Sequence, residues 1–225
     1  MSEPQYEHCR HVLSAHGRTS LGVMANQTWH DDPKRLGFVL ARYKFVARML
    51  EGMQCVLEVG CADGFGTKVV AQRVGLVVAV DFDEFHVEEA RQFAPENVMV
   101  KRHDMMTGAM YPPDRLLKTF NAAFCLDVLE HVPPDQEGVF LGAVCGSIGP
   151  AGTFIVGMPS AESQSYASPL SKAGHVNCKT GPDLRQTLKR FFRHVFTFGM
   201  NDETLHTGFD GMCHYRLAIC TGAKM

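Results

Sequence analysis

Apolar residues recur at helical spacing from Leu36 through Val39, Leu40, Tyr43, Val46 and Ala47 to Leu50. Asp32-Pro33 precedes this stretch and Gly52 follows it, the start and stop signals of a helix. Beyond Gly52 the period changes. Short continuous apolar runs at Cys55–Val59, 76–80, 98–101, Ala122–Leu126 and 152–157 alternate with helical stretches at 66–74, Glu84–Phe93 and Glu137–Ile148. Strands that are apolar on both faces belong to a parallel sheet covered on both sides. After residue 157 the alternation breaks. A polar stretch at 161–180 leads to a predicted helix at 182–192, then to two β-like runs at 194–198 and 215–220 with no helix between them. Parallel neighbours need a long crossover, so these last two strands are expected to be antiparallel. The expected fold is α/β: a doubly wound, seven-stranded, mostly parallel sheet with an antiparallel strand near one edge and helices on both faces.

Composition adds limits. The 225 residues suit a single domain with a sizeable core, and 45% hydrophobic with 20% charged residues is ordinary for a globular protein. A net charge of -2 gives no global basic field, so neither nucleic acid nor an anionic membrane is an expected partner. No apolar run approaches the roughly 20 residues that span a bilayer, and the polar first ten residues lack a secretory h-region. The eight cysteines include no C-x-x-C pair, and Cys55, Cys125 and Cys220 sit inside apolar runs, as reduced thiols do in a cytoplasmic protein. His8-Cys9-Arg10-His11 has no second ligand pair at zinc spacing and reads as a surface terminus. The first 33 residues read as polar and irregular, and they hold the only tryptophan, Trp29.

The chemistry concentrates at residues 56–66, Val-Leu-Glu-Val-Gly-Cys-Ala-Asp-Gly-Phe-Gly. An apolar strand ends in Glu58 and enters a turn with glycine at 60, 64 and 66. Glycine permits positive φ and the close backbone approach of a ligand-wrapping turn. A dinucleotide site spaces its glycines G-x-G-x-x-G, whereas here the spacing is G-x-x-x-G-x-G. A carboxylate at 58 opposes a diphosphate and suits a cationic ligand.

This turn resembles the first motif of the class I S-adenosylmethionine-dependent methyltransferases, an acidic residue followed by G-x-G-x-G. Glu58, Gly60 and Gly64 match, and Ala62 stands in place of the middle glycine. Three further segments follow in the family's order: Val80-Asp81-Phe82, His103-Asp104-Met105 and Leu126-Asp127-Val128-Leu129-Glu130-His131. The resemblance implies that S-adenosylmethionine is the cofactor and S-adenosylhomocysteine the product. It implies cofactor contacts from Glu58, Gly60, Cys61, Ala62, Gly64, Asp81, Phe82, Asp104, Met105, Leu126 and Asp127. Asp81 would accept from the ribose hydroxyls, with Asp83 as fallback, Asp104 would meet the adenine amino group, and Met105 would pack on the adenine face. Each acid also has a simpler reading as a helix N-cap. Arg42, on the helix before the first strand, is a candidate for the cofactor carboxylate, against the alternative of a solvated surface arginine.

On that resemblance the chain divides into an N-terminal segment or lid (1–33), a cofactor-binding half (34–157) and a substrate-side half (158–225). The expected reaction is O-methylation of a small molecule by in-line displacement, which needs alignment and a proton acceptor; the alternatives are methylation of a nitrogen or a peptide carboxylate, or a non-catalytic nucleotide-binding module. His131 and His175 are the candidate bases, His175 preceding the Thr180–Leu184 segment that resembles the T-x-x-x-L helix of many small-molecule methyltransferases. A pocket-lining or structural histidine is the alternative at each. Asp127, Glu130 and His131 also resemble the E-x-x-E-H motif that binds a divalent cation in some quinone-pathway O-methyltransferases. The same string occurs in relatives without metal, so no metal is expected. Trp29 reads either as part of a lid or as an anchor for the N-terminal segment. The sequence carries no signal for an oligomeric state.

Overall fold

The computed structural model describes residues 3–114 and 116–224, so the first two residues of the expected N-terminal segment lie outside it. The chain runs α1 (Glu7–His16), α2 (Val23–Asp31), α3 (Lys34–Met49), β1 (Cys55–Val59), α4 (Thr67–Ala71), β2 (Leu76–Asp81), α5 (Glu84–Phe93), β3 (Val98–Arg102) and β4 (Ala122–Leu126). It continues through α6 (Glu137–Ile148), β5 (Thr153–Pro159), α7 (Pro169–Gly174), α8 (Gly181–Phe191), β6 (Phe192–Asn201), β7 (Thr204–His206) and β8 (Tyr215–Ala223). Five of these, β1 to β5, are parallel, in the spatial order β3-β2-β1-β4-β5.

The sheet is completed by β8-β6-β7, with β8 antiparallel to both β5 and β6. The expected antiparallel end is therefore present, and the sheet has eight strands instead of seven. The addition is β7, three residues that fold back on the end of β6 through Gly199↔His206 to Asn201↔Thr204. A strand this short shows no apolar alternation, so its segment reads as loop in the sequence.

Both faces of the sheet are covered. Cys55, Leu57 and Val59 of β1 face α6 and α8, where they join Leu141, Val144, Leu184 and Leu188. Val56 faces the opposite way, into a cluster with Tyr43 and Val46 of α3, Leu50 just after it, and Val70 of α4. Burying each such aliphatic side chain stabilises the fold by about 1.5–3 kcal/mol relative to exposure. Cys55, Cys125 and Cys220 are buried among these side chains, and all eight cysteines are unpaired. Among the described residues no helix is long and apolar enough to cross a membrane.

The N-terminal segment departs from expectation. It is helical over α1 and α2, not irregular. None of the residues of α1 is buried, and α2 buries only Ala25. Trp29 is 51% exposed, which does not fit a buried anchor. The polar stretch 161–180 is likewise structured, as a 3₁₀ turn at Glu162–Tyr166 followed by α7.

Candidate functional site

In an open α/β sheet, ligands bind beyond the carboxyl ends of the strands. There the chain leaving β1 turns sharply, with φ of 75° at Gly60, 45° at Ala62 and 68° at Gly64. Glycine is required at 60, because a Cβ there would overlap the Val128 side chain. Ala62 adopts the left-handed region despite its Cβ, at a cost of about 1–2 kcal/mol. The turn is tied to β2: the amides of Gly60 and Cys61 donate to the Val80 carbonyl at 2.8 and 3.1 Å, and that of Ala62 donates to Asp81 Oδ2 at 3.0 Å.

Beside the turn lies a cavity of about 590 Å³. Gly60, Ala62, Asp81, Phe82, Asp104 and Met105 line one part of it, and Asp127 and His131 another. Segments more than forty residues apart in sequence thus meet around one space. Asp81 is 7% exposed, and its other oxygen accepts from the Asp83 amide at 3.0 Å. Asp83 caps α5 through the Phe85 amide, and Asp104 caps the turn at Met105–Thr107 through the Met106 amide. The capping reading and the cavity-lining reading hold together for Asp104. Phe82 is 69% exposed at the rim, while Met105 is buried in the wall. His86 and His103 also line the cavity, although the sequence singled out neither as a site residue. His86 Nδ1 is buried without a partner, and His103 Nε2 lies 3.0 Å from the Gly108 carbonyl oxygen.

Six candidates stand off the cavity wall: Glu58, Cys61, Gly64, Leu126, Arg42 and His175. Glu58 lies beneath the turn, 1% exposed, where the Tyr43 hydroxyl donates to Oε1 at 3.0 Å and Thr67 stands beside the carboxyl. Burial pushes its carboxyl up to about 7. Arg42 is not a solvated surface arginine. It holds both oxygens of Asp127, at 2.8 and 3.1 Å, and its guanidinium lies 3.7 Å above the centre of the Tyr215 ring. Asp127 has φ 57°, so the chain leaves β4 in the left-handed region.

Two buried groups lie close to Asp127. Glu130 is 0% exposed and its oxygens pair with no other described residue; burial, reinforced by Asp127, holds its carboxyl well above the usual range. The Tyr215 hydroxyl is buried beside Asp127. Tyr43 and Tyr215 had no signal in the sequence, since each reads there as an ordinary core aromatic.

The two candidate bases come together. The His131 and His175 rings lie edge to face with centroids 5.2 Å apart. His131 Nδ1 is 2.9 Å from the Gly174 carbonyl oxygen, and His175 Nδ1 is 2.8 Å from Gln164 Oε1. Both partners only accept, so each ring carries its proton on Nδ1 and keeps a lone pair on Nε2. Burial and the neighbouring His131 lower the His175 pKa below its ordinary value. Glu130, His131 and His175 each bring one ligating atom within 4.8 Å of the others. This set differs from the motif in the sequence by exchanging Asp127 for His175. Two imidazoles and one carboxylate suit a transition-metal dication better than Mg²⁺, which prefers oxygen ligands.

Residues 56–152 match a family described as a methyltransferase domain. The ubiquinone biosynthesis O-methyltransferase of Psychrobacter arcticus is 24% identical over 66% of this chain and 57% of its own length. The mitochondrial ubiquinone biosynthesis O-methyltransferase of Schizosaccharomyces pombe is 24% identical over 81% of this chain and 69% of its own. The chain therefore spans somewhat over half to two thirds of these relatives. Among solved structures, DhpI in complex with SAH superposes with a TM-score of 0.60 at 18% identity, covering 90% of this chain and 89% of the other, a likeness of fold. Residues 56–152 are thus similar to a methyltransferase domain, and the motifs in order along β1 to β4 and this sheet topology agree with the class I S-adenosylmethionine-dependent type.

Proposed function

We propose that this chain is an enzyme that transfers the methyl group of S-adenosylmethionine to a hydroxyl oxygen of a small molecule in the cytoplasm. Within the described residues, 34–157 hold the cofactor, 158–224 border the acceptor, and 3–33 form the N-terminal segment or lid. One observation carries the reading: His131 and the wall from Asp81 to Met105 share a single cavity. The wall suits adenosine. Each Asp81 oxygen accepts one backbone N–H and keeps a lone pair for a ribose hydroxyl, while Phe82 and Met105 offer apolar faces to the base.

Methyl transfer to oxygen proceeds in line and releases a proton from the acceptor hydroxyl. His131 lies on the cavity wall with Nδ1 held by Gly174 and a lone pair on Nε2, so it is the proton acceptor, and His175 packs behind it. Two relatives named as O-methyltransferases favour an oxygen acceptor, and the net charge of -2 favours a small molecule over nucleic acid.

The test is S-adenosylhomocysteine release with a panel of phenols, catechols and sugars set against a panel of amines. Turnover is expected in the hydroxyl panel, and His131→Ala should reduce it by about 10²-fold with S-adenosylhomocysteine affinity unchanged. Transfer to amines alone, or full turnover by His131→Ala, would overturn the assignment.

A further inference from the structure

Asp63 occupies the middle of the cofactor turn, between the left-handed residues Ala62 and Gly64, yet it is absent from the cavity wall. Its side chain is 6% exposed and points the other way, toward the N-terminal helices. Oδ2 accepts from the amide of Ala25 at 2.8 Å, a contact across 38 residues, and Oδ1 accepts from the amide of Phe65 at 3.0 Å. Ala25 is the third residue of α2 and its only buried one, so this bond satisfies an amide that the helix itself leaves free.

The residue that would ordinarily cap α2 is Gly22, which has no side chain to do so. Asp63 supplies the cap from the cofactor turn and places a negative charge at the positive end of the helix. Gly22 is what lets the turn come so close: a Cβ at that position would lie 2.5 Å from the Asp63 carboxylate. One carboxylate thus bonds an amide in the helix with one oxygen and an amide in the turn with the other.

We propose that Asp63 is a positioning residue that couples occupancy of the cofactor turn to docking of α2, so that cofactor binding and closure of the N-terminal segment form one linked equilibrium. Coupling of this kind is reciprocal: cofactor that steadies residues 60–64 steadies the helix, and undocking the helix weakens the cofactor by the same factor. The proposal rests on the assignment of residues 58–66 as the cofactor site.

The experiment uses the full chain with S-adenosylhomocysteine as probe, combining calorimetry with hydrogen exchange of residues 23–31. In the wild type, saturating S-adenosylhomocysteine should slow exchange across α2. Gly22→Ala leaves the turn's own sequence intact and Asp63→Ala removes the cap. Each, shown folded by its circular dichroism and melting, should bind about fivefold or more weakly, the worth of one helix cap. In each, α2 should exchange rapidly with or without ligand, and Asp63→Asn, which keeps one acceptor oxygen, should restore part of both effects. Binding within twofold of wild type by either alanine variant would overturn the coupling, as would exchange in wild-type α2 that ignores the ligand. Absence of S-adenosylhomocysteine binding by the folded wild type would overturn the cofactor-site assignment and the coupling with it.

Discussion

The wall of the cavity built from the ends of β2 and β3 treats its carboxylates differently from the floor built from the ends of β1 and β4. On the wall, Asp81, Asp83 and Asp104 each accept from backbone amides of their own neighbourhood. On the floor, beneath the lining itself, Glu130 pairs with no other residue and Arg42 Nε is unpaired among the described residues, while Glu58 and the Tyr215 hydroxyl lean on Thr67 and Asp127. A buried polar group without a partner costs about 1–3 kcal/mol, and more when charged. The carboxylates of the wall are therefore satisfied before any ligand arrives, although His86 Nδ1 is not. The floor holds its groups at a cost to the fold, as a region does when binding or catalysis, not stability, sets its residues.

The largest expected effect concerns Glu58. Its carboxyl titrates near 7 in the fold against 4.5 when free, so the folded protein binds the extra proton. Stability from this group is complete below about pH 4.5 and is lost as the pH rises toward 7. Relative to Glu58→Gln, which removes the titration, the wild type should lose about 3 kcal/mol across that window, read by urea unfolding at pH 4.5 and pH 7.5. Parallel stability curves for the two proteins would remove Glu58 from the strained floor.

On the wall, Asp81→Ala should cost about 2 kcal/mol of unfolding free energy, from two lost amide partners. It should also weaken S-adenosylhomocysteine binding by tenfold or more in calorimetry. A variant that loses stability but binds normally would make Asp81 a brace for the turn alone. The last effect has the opposite sign. Glu130→Gln removes the titration of a buried acid that the fold holds well above its ordinary range, and should raise the stability of the ligand-free protein at pH 8, measured as a higher Tm. A lower Tm would mean that Glu130 is held by the fold and does not strain it.

Much of this difference was invisible along the chain. The wall acids were legible because each follows an apolar run at a strand end, and α5, β4 and α6 lie where their periodicity placed them. On the floor, Asp127, Glu130 and His131 were legible as a string, but their surroundings were not. Arg42 meets Asp127 across 85 residues, His131 meets Gly174 across 43, and the Tyr43 hydroxyl reaches Glu58 from a neighbouring helix. No local pattern records such pairings. The N-terminal helices were read as irregular because their residues are mostly polar, and the fold buries almost none of them.

The glycine turn at residues 58–66 shows where sequence and fold divide the work. By itself the sequence determined that a parallel α/β sheet forms, that the turn leaves its first strand, and that acids stand at the ends of the next strands, because period and steric freedom are local properties. Tertiary structure alone decided that Asp63 faces away from the cavity and caps α2, that Glu58 lies beneath the turn, and that His175 packs on His131. Burial and partner choice belong to whatever the folded chain brings within a few ångströms, and that depends on every crossover in the sheet.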